Sequence, residues 1–293
     1  MQNLKYARAR DIDEAARLLA EGGPTARVLA GGTDVIVQAR ERKRPVGLFV
    51  DIKKIAAVQE LRYDAAAGLT VGAATPCYRI YEDDVVRRLY PALVEATSVV
   101  GGTAIQGRAS LGGNLCNSSP AADTVPAMIA LDAAVTIAGP GGGRRTVAVA
   151  AFCTGPGQNV LAQGEFVVSI LFPPPAAGSG AAWERFIPRN EMDIAVANAA
   201  SCLRIEGGRV SAARIAIGAV APTALLLEDA AAALVGKPLS DETVAAAAAA
   251  AKAAARPIDD MRGSIKQRRH LAGVLVERTL RRAAARAEEG GRP

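Results

Sequence analysis

Residues 110–131 read Ser110-Leu111-Gly112-Gly113-Asn114-Leu115-Cys116-Asn117-Ser118-Ser119-Pro120-Ala121-Ala122-Asp123-Thr124-Val125-Pro126-Ala127-Met128-Ile129-Ala130-Leu131. The glycine pair can turn several backbone N–H groups toward one anion. The hydroxyl, amide and carboxylate groups behind it can hydrogen-bond a polyhydroxy chain. Upstream, Ala30-Gly31-Gly32-Thr33-Asp34 lies between a strand pattern at Arg27 to Ala30 and a helix pattern at Val35 to Arg42, and offers a second such nest. Two nests so far apart in the chain suit a pyrophosphate held between two subdomains, and a branched side chain at Gly32 is expected to block its approach. Neither nest has a common nucleotide fingerprint. Gly236-Lys237 runs into Pro238 rather than Ser or Thr, and no G-x-G-x-x-G occurs.

With 293 residues, 50% of them hydrophobic and 22% charged, the chain can bury a sizeable core and divide into two domains. The net charge of +6 is scattered, and five Phe, five Tyr and one Trp give few stacking platforms, so nucleic acid is not the expected partner. The four cysteines, Cys77, Cys116, Cys153 and Cys202, form no C-x-x-C pair. That usage argues against a metal site or cluster in this chain, and for buried thiols in a reducing cytoplasm. The single His270 excludes most histidine-dependent hydrolytic and multi-histidine metal chemistry, and reads as a surface or helix-packing residue. The first residues develop no apolar signal region. The uncharged run Thr146 to Gly164 is broken by Gly155-Pro156-Gly157, so no membrane span is expected.

Along the chain, Asp11 and Glu14 have the form of a capping box ahead of a short helix. Gly47 to Ile52 and Leu69 to Val71 read as strands, and Glu82 to Val99 as one helix. The glycine-rich stretch from Gly101 to about Thr124 reads as an irregular binding loop. Ala133 to Ala138, Thr146 to Ala150 and Glu165 to Phe172 follow as strands. Pro173-Pro174-Pro175 then marks a domain boundary. Beyond it, strands Ala195 to Glu206 and Arg209 to Val220 flank Gly207-Gly208, a primed hairpin turn by its glycines. Helices are expected at Leu225 to Leu234, Asp241 to Ala255 and Ser264 to about Ala287.

Three segments together, A-G-G-T-D from Ala30, S-L-G-G-N-L-C-N-S-S-P-A-A-D-T-V-P from Ser110 and R-F-I-P-R-N-E-M-D-I-A from Arg185, resemble the FAD-binding medium subunits of molybdenum hydroxylases, the family of carbon monoxide dehydrogenase, xanthine dehydrogenase and hydroxybenzoyl-CoA reductase. Arg268-Arg269-His270-Leu271-Ala272 is similar too, and the resemblance runs over nearly the whole chain. It implies an α+β protein: a two-subdomain, PCMH-type FAD-binding domain over residues 1–175, divided near residue 55, then a small antiparallel sheet with helices over 181–287. FAD would lie between the subdomains. Val28, Leu29, Ala30, Gly31, Gly32, Thr33, Asp34 and Val35 would wrap the adenine and pyrophosphate end. Ser110, Leu111, Gly112, Gly113 and Asn114 would form the second phosphate nest, and Asn117 and Asp123 would reach the ribityl and flavin side. Phe166 and Val167 would line the cofactor from their strand, and Arg185 falls where the family often carries a lysine near the flavin.

The implied activity is that of a flavin subunit. A molybdopterin-binding large subunit would oxidise the substrate, a [2Fe-2S] small subunit would relay the electrons, and FAD here would pass them to NAD+, oxygen, quinone or another acceptor, within a cytoplasmic dimer of heterotrimers. Some positions depart from the family. Gln106-Gly107 stands where Arg-Asn is common. Thr33-Asp34 replaces the His-Ser usual in carbon monoxide dehydrogenases. Between Cys116 and Asp123 there is no cysteine-bearing insertion for a [4Fe-4S] cluster. From the residues alone, Asp123 could instead cap the helix after it, Arg185 could pair with Glu184 or Glu191, and Asp193-Ile194-Ala195 could tie the two domains together. A free-standing flavoprotein, and a basic scaffold binding nucleic acid, are the competing readings of the whole chain.

Overall fold

The computed structural model describes residues 4–290. Its first lobe is a three-stranded parallel sheet of strands β1 (Lys5–Arg8), β2 (Ala26–Leu29) and β3 (Leu48–Asp51) in the order β1-β3-β2. The helix Ile12–Glu21 crosses from β1 to β2. The Asp11 carboxylate caps it by accepting from the Glu14 N–H at 2.8 Å. Glu14 in turn accepts from the N–H of Arg10 at 2.8 Å, one residue earlier than a capping box requires.

The second lobe carries β4 (Leu61–Asp64), β5 (Gly68–Gly72), β6 (Ala134–Ala138) and β7 (Arg144–Ala148). After the two-stranded ribbon of β8 (Cys153–Gly155) and β9 (Gln158–Asn159) comes β10 (Phe166–Phe172). The five-stranded antiparallel sheet runs β4-β5-β10-β6-β7. Helices and sheet enclose a core that includes Leu69, Tyr90, Leu93, Leu111, Leu115, Met128, Phe152 and Phe172. The lobes also share apolar packing, because Phe166 and Val168 of β10 join Leu19, Val50 and Ile52 of the first lobe in one buried cluster.

The chain's last part forms a four-stranded sheet, β11 (Ser179–Phe186), β12 (Ala197–Glu206), β13 (Arg209–Gly218) and β14 (Leu225–Leu226), in that order. Helices Asp241–Ala254 and Ile265–Gly290 pack on it. The alanine run proves to be a packing surface, with Val244, Ala247, Ala248 and Ala251 buried at helical spacing. Gly207 and Gly208 both take positive φ, 56° and 74°, as the hairpin reading requires.

Four readings are corrected. The single helix expected at Glu82 to Val99 is two, Asp84–Leu89 and Pro91–Thr97, preceded by a separate helix Cys77–Glu82. The Asp83 carboxylate caps Asp84–Leu89 by accepting from the N–H groups of Val85 and Val86, both at 3.0 Å, and Pro91 opens the helix after it. The glycine-rich stretch contains two short helices, Thr103–Gln106 and Leu111–Asn117, the second capped by Ser110 Oγ on the Gly113 N–H at 3.2 Å. β11 has no counterpart in the reading of the sequence. Finally, the helix expected from Leu225 starts only at Glu228, after the short β14.

Two ionic devices hold this architecture. Glu95, on the helix Pro91–Thr97, accepts the Trp183 N–H at 2.7 Å and pairs with Arg286 at 2.6 Å, tying β11 and the last helix to the second lobe. Arg268, 4% exposed, donates to the carbonyls of Val196 (2.7 Å) and Ala219 (3.0 Å) and pairs with Asp260 at 2.7 Å. Arg268→Met would leave two buried carbonyls without their charged donor. A loss of about 2–3 kcal/mol is expected, read as a lower urea midpoint at constant m-value.

Candidate cofactor-binding site

Between the two lobes lies a cleft of about 910 Å³, at the upper end of the ~300–1,000 Å³ usual for ligand pockets. Both glycine turns reach it. Gly31 and Gly32 arrive where β2 ends, because the backbone must pass close to the second lobe. A Cβ on Gly31 would stand 1.9 Å from the Arg108 carbonyl oxygen. Gly32 has φ +78° and would bring a Cβ within 2.6 Å of Ile36, so it is required by backbone conformation and by its own helix as much as by any ligand. In the second turn, Gly112 faces Ala73 so closely that a Cβ there would stand 2.5 Å from the Ala73 carbonyl oxygen. A Cβ on Gly113 would meet only Ser110 Oγ, at 3.2 Å, and otherwise enters open space.

Of the eighteen residues drawn from the sequence, the cleft brings together Val28, Ala30, Gly31, Gly32, Thr33, Asp34, Val35, Ser110, Gly112, Gly113, Asn114, Asn117, Asp123, Phe166 and Val167. Phe166 and Val167 both line it beside an irregularity in β10, whose register shifts between Val167 and Ser169. Leu29, Leu111 and Arg185 lie off the lining. Leu29 packs against Ala39, Val46 and Phe49, and Leu111 is fully buried in the core of the second lobe. Arg185 acts one step back, holding Asp123 in an ion pair at 2.9 Å with both side chains nearly buried.

Asp123 makes no hydrogen bond to the helix Thr124–Ala130 that it precedes, so the capping alternative fails. Burial pushes its carboxyl up to about 6, with Arg185 pulling the other way, and its Oδ1 is buried without a partner. An acceptor aimed at nothing in the protein is what a ligand donor would satisfy. The loop is set by the C-terminal sheet: the Ala219 N–H donates to the Pro120 carbonyl at 2.7 Å and Asn198 Nδ2 to that of Ala122 at 3.2 Å. Asn114 Oδ1 accepts from Thr124 Oγ1 at 2.6 Å, which leaves the Asn114 side-chain NH2 to donate. The Asp34 carboxyl is pushed up by desolvation.

Sequence reasoning missed a second set of lining residues. Arg27, Gln38 and Arg44 come from the first lobe, Gly157, Asn159 and Gln163 from the second, and Met192, Asp193 and Ile194 from the loop after β11. Most carry no motif and reach the cleft only through folding. Asp193 pairs with Arg189 at 3.4 Å, and its carbonyl accepts from Arg185 at 3.4 Å. Burial raises all four thiols, Cys116 and Cys77 to about 12, and His270 is exposed on the last helix.

Among the described residues no group of three or more His, Cys, Asp or Glu side chains is placed to hold a metal, and no helix is long and apolar enough to cross a membrane. Residues 2–175 match the family described as the FAD binding domain in molybdopterin dehydrogenase, and residues 185–283 the CO dehydrogenase flavoprotein C-terminal domain. The chain is 33% identical over 283 residues to the xanthine dehydrogenase FAD-binding subunit of Escherichia coli O157:H7, covering 96% of each. It is 33% identical over 282 residues to the carbon monoxide dehydrogenase medium chain of Hydrogenophaga pseudoflava, covering 96% of this chain and 97% of that one. Its structure superposes on carbon monoxide dehydrogenase from Hydrogenophaga pseudoflava with a TM-score of 0.92 at 35% identity, over 97% and 98% of the two chains. On quinoline 2-oxidoreductase from Pseudomonas putida 86 the TM-score is 0.89 at 30% identity, over 99% and 98%. A cleft floored by two glycine turns, a C-terminal sheet that shapes its far wall and relatives matched over almost their full length agree: the chain belongs to the FAD-binding subunits of the molybdopterin dehydrogenases.

Proposed function

We propose that this chain is the electron-transfer subunit of a molybdenum hydroxylase complex. It would receive electrons from a [2Fe-2S] small subunit, after oxidation of a substrate on a molybdopterin-binding large subunit, and deliver them through FAD to NAD+, oxygen, quinone or another acceptor. The observation that carries this reading is the convergence of both glycine turns, one from each lobe, on a single cleft of dinucleotide size. Two features of the cleft fit FAD. Gly113 leaves room where any larger residue would intrude, and the orphaned Asp123 Oδ1 offers an acceptor to a ribityl hydroxyl or a flavin N–H. FAD supplies the redox chemistry when bound.

The residues of the chain bind and orient. Backbone N–H groups of the turns at Gly31–Gly32 and Gly112–Gly113 would face the pyrophosphate, and the Asn114 amide would donate beside them. Val28, Phe166 and Val167 would exclude water from the adenosine end. Arg185 is a positioning residue, which fixes Asp123 and keeps its carboxylate charged at neutral pH despite burial. Among the described residues the cysteine that lines the cleft, Cys116, has its thiol pushed up to about 12 by burial, so it is not an activated nucleophile, and the reading has FAD held noncovalently. A dimer of heterotrimers in the cytoplasm completes the proposal.

The isolated chain is expected to bind one FAD, released into the supernatant on acid precipitation, and to reduce it with no aromatic heterocycle, aldehyde, CO or acyl-CoA. Coexpression with a molybdopterin subunit and a [2Fe-2S] subunit should restore substrate-dependent flavin reduction. Turnover by the single chain free of molybdenum and iron would promote the free-standing flavoprotein instead.

A further inference from the structure

We infer that Gln38 and Arg44 latch the two lobes over bound FAD, and that opening of this latch limits the release of the cofactor. The inference rests on the reading of the cleft as the FAD site. Gln38 Nε2, on the helix Val35–Arg40, donates to Asn117 Oδ1 at 3.0 Å, and Arg44 Nη2 donates to the Gly157 carbonyl at 3.1 Å. Each bond runs from the first lobe to the second, and all four residues line the cleft. The helix bearing Gln38 follows the Gly31–Gly32 turn, while Asn117 ends the helix that contains Gly112 and Gly113. A molecule spanning the two turns is therefore closed in by the elements that carry them.

The two receiving points are joined. The Gly157 N–H donates to the carbonyl of Ser118, the neighbour of Asn117, at 2.9 Å. Gly157 has φ +69°, and a Cβ there would lie 2.5 Å from Arg44 Nη2, so the turn has the shape that admits the guanidinium. Among the described residues Arg44 has no carboxylate partner. Its acceptor is the Gly157 carbonyl across the cleft.

The asymmetry of the lobe contacts says which side opens. On one side Leu19, Val50 and Ile52 share a buried apolar cluster with Phe166 and Val168, a contact that opens only at the cost of exposing core. On the Gln38 and Arg44 side, beyond the close backbone approach of Gly31 to Arg108, the cross-lobe contacts are these hydrogen bonds, which break singly at modest cost because water replaces the lost partner. The apolar side is the hinge, and the polar side is the gate.

Release of FAD from the purified, flavin-loaded chain, followed by the recovery of flavin fluorescence on dilution, tests this. Gln38→Ala and Arg44→Ala should each speed dissociation about tenfold, the effect of losing one hydrogen bond worth ~1.4 kcal/mol. The association rate and the melting temperature of the FAD-free protein should stay near wild type. Gly157→Ala, which displaces the guanidinium without removing its charge, should speed release as Arg44→Ala does, but the φ of +69° there also strains the turn, so the melting-temperature criterion is read on Gln38→Ala and Arg44→Ala alone. Arg44→Lys, still able to donate to a carbonyl, should recover part of the loss. Unchanged dissociation in both alanine variants, or faster dissociation accompanied by a matching drop in the melting temperature of the FAD-free protein, overturns the latch alone. A wild-type chain that takes up no FAD overturns the cofactor reading together with it.

Discussion

Gly113→Val protein is expected to purify folded and nearly colourless. The position lies inside the helix Leu111–Asn117 with ordinary helical backbone, and the added Cβ meets within the protein only Ser110 Oγ at 3.2 Å. Valine is tolerated there by the fold, since it is no worse than glycine in a helix. Its branches would occupy space assigned to the pyrophosphate, and overpacking of this kind should weaken FAD by about 3 kcal/mol, on the order of a hundredfold. Gly32, the position first suggested by the motif, is a poorer probe. Its φ of +78° and its contact with Ile36 mean that Gly32→Val strains the chain before any ligand arrives. Gly31→Val is poorer still, because its Cβ would collide with the Arg108 backbone. A Gly113→Val protein with full flavin occupancy would remove the second turn from the cofactor site.

Asp123→Ala should cost both stability and cofactor. The Arg185 side chain, 8% exposed, would be left with the Asp193 carbonyl at 3.4 Å as its remaining acceptor, and breaking such a buried pair costs about 3–5 kcal/mol. FAD affinity should fall by a further ~1.5–3 kcal/mol if Oδ1 accepts from the ribityl chain or the flavin. Affinity unchanged in a variant that still folds would reduce Asp123 to a structural residue.

The same carboxyl gives the protein a pH signature. Burial lifts it to about 6, above its value in the unfolded chain, so the folded state binds this proton more tightly. Its contribution is complete below the ordinary aspartate range and is lost as pH rises through the folded value. Relative to Asp123→Asn, which cannot titrate, the FAD-free wild type should gain in urea midpoint between about pH 7.5 and about pH 5. A constant difference across that interval would show that Arg185 outweighs burial at this site.

Local chemistry explains what could be read without a structure. The turns at Gly31–Gly32 and Gly112–Gly113, the hairpin at Gly207–Gly208 and the strand ending at Pro173 each depend on residues next to one another in the chain. Glycine, proline and capping side chains act on their own backbone, and their signal survives in a linear string. The break-up of the expected helix at Glu82 to Val99 was also written locally, in Asp83 and Pro91, but the helical periodicity around them masked it. β11 was hidden for another reason. Its burial follows from the last helix lying so close that a Cβ on Gly180 would stand 2.2 Å from the Ala283 carbonyl oxygen, and no periodicity within the strand encodes that.

The sequence by itself determined that two glycine turns of the right composition exist, and that the four cysteines form no C-x-x-C pair. Only the tertiary structure decided that the turns face each other, that Asp123 answers to Arg185 rather than to its own helix, and that Gln38 and Arg44 reach across to Asn117 and Gly157. Each of these is a pairing between residues distant in the chain. Such a pairing is fixed by how lobes and sheets pack, through apolar clusters like that of Val50 with Phe166, and polar partners meet only where that packing leaves them.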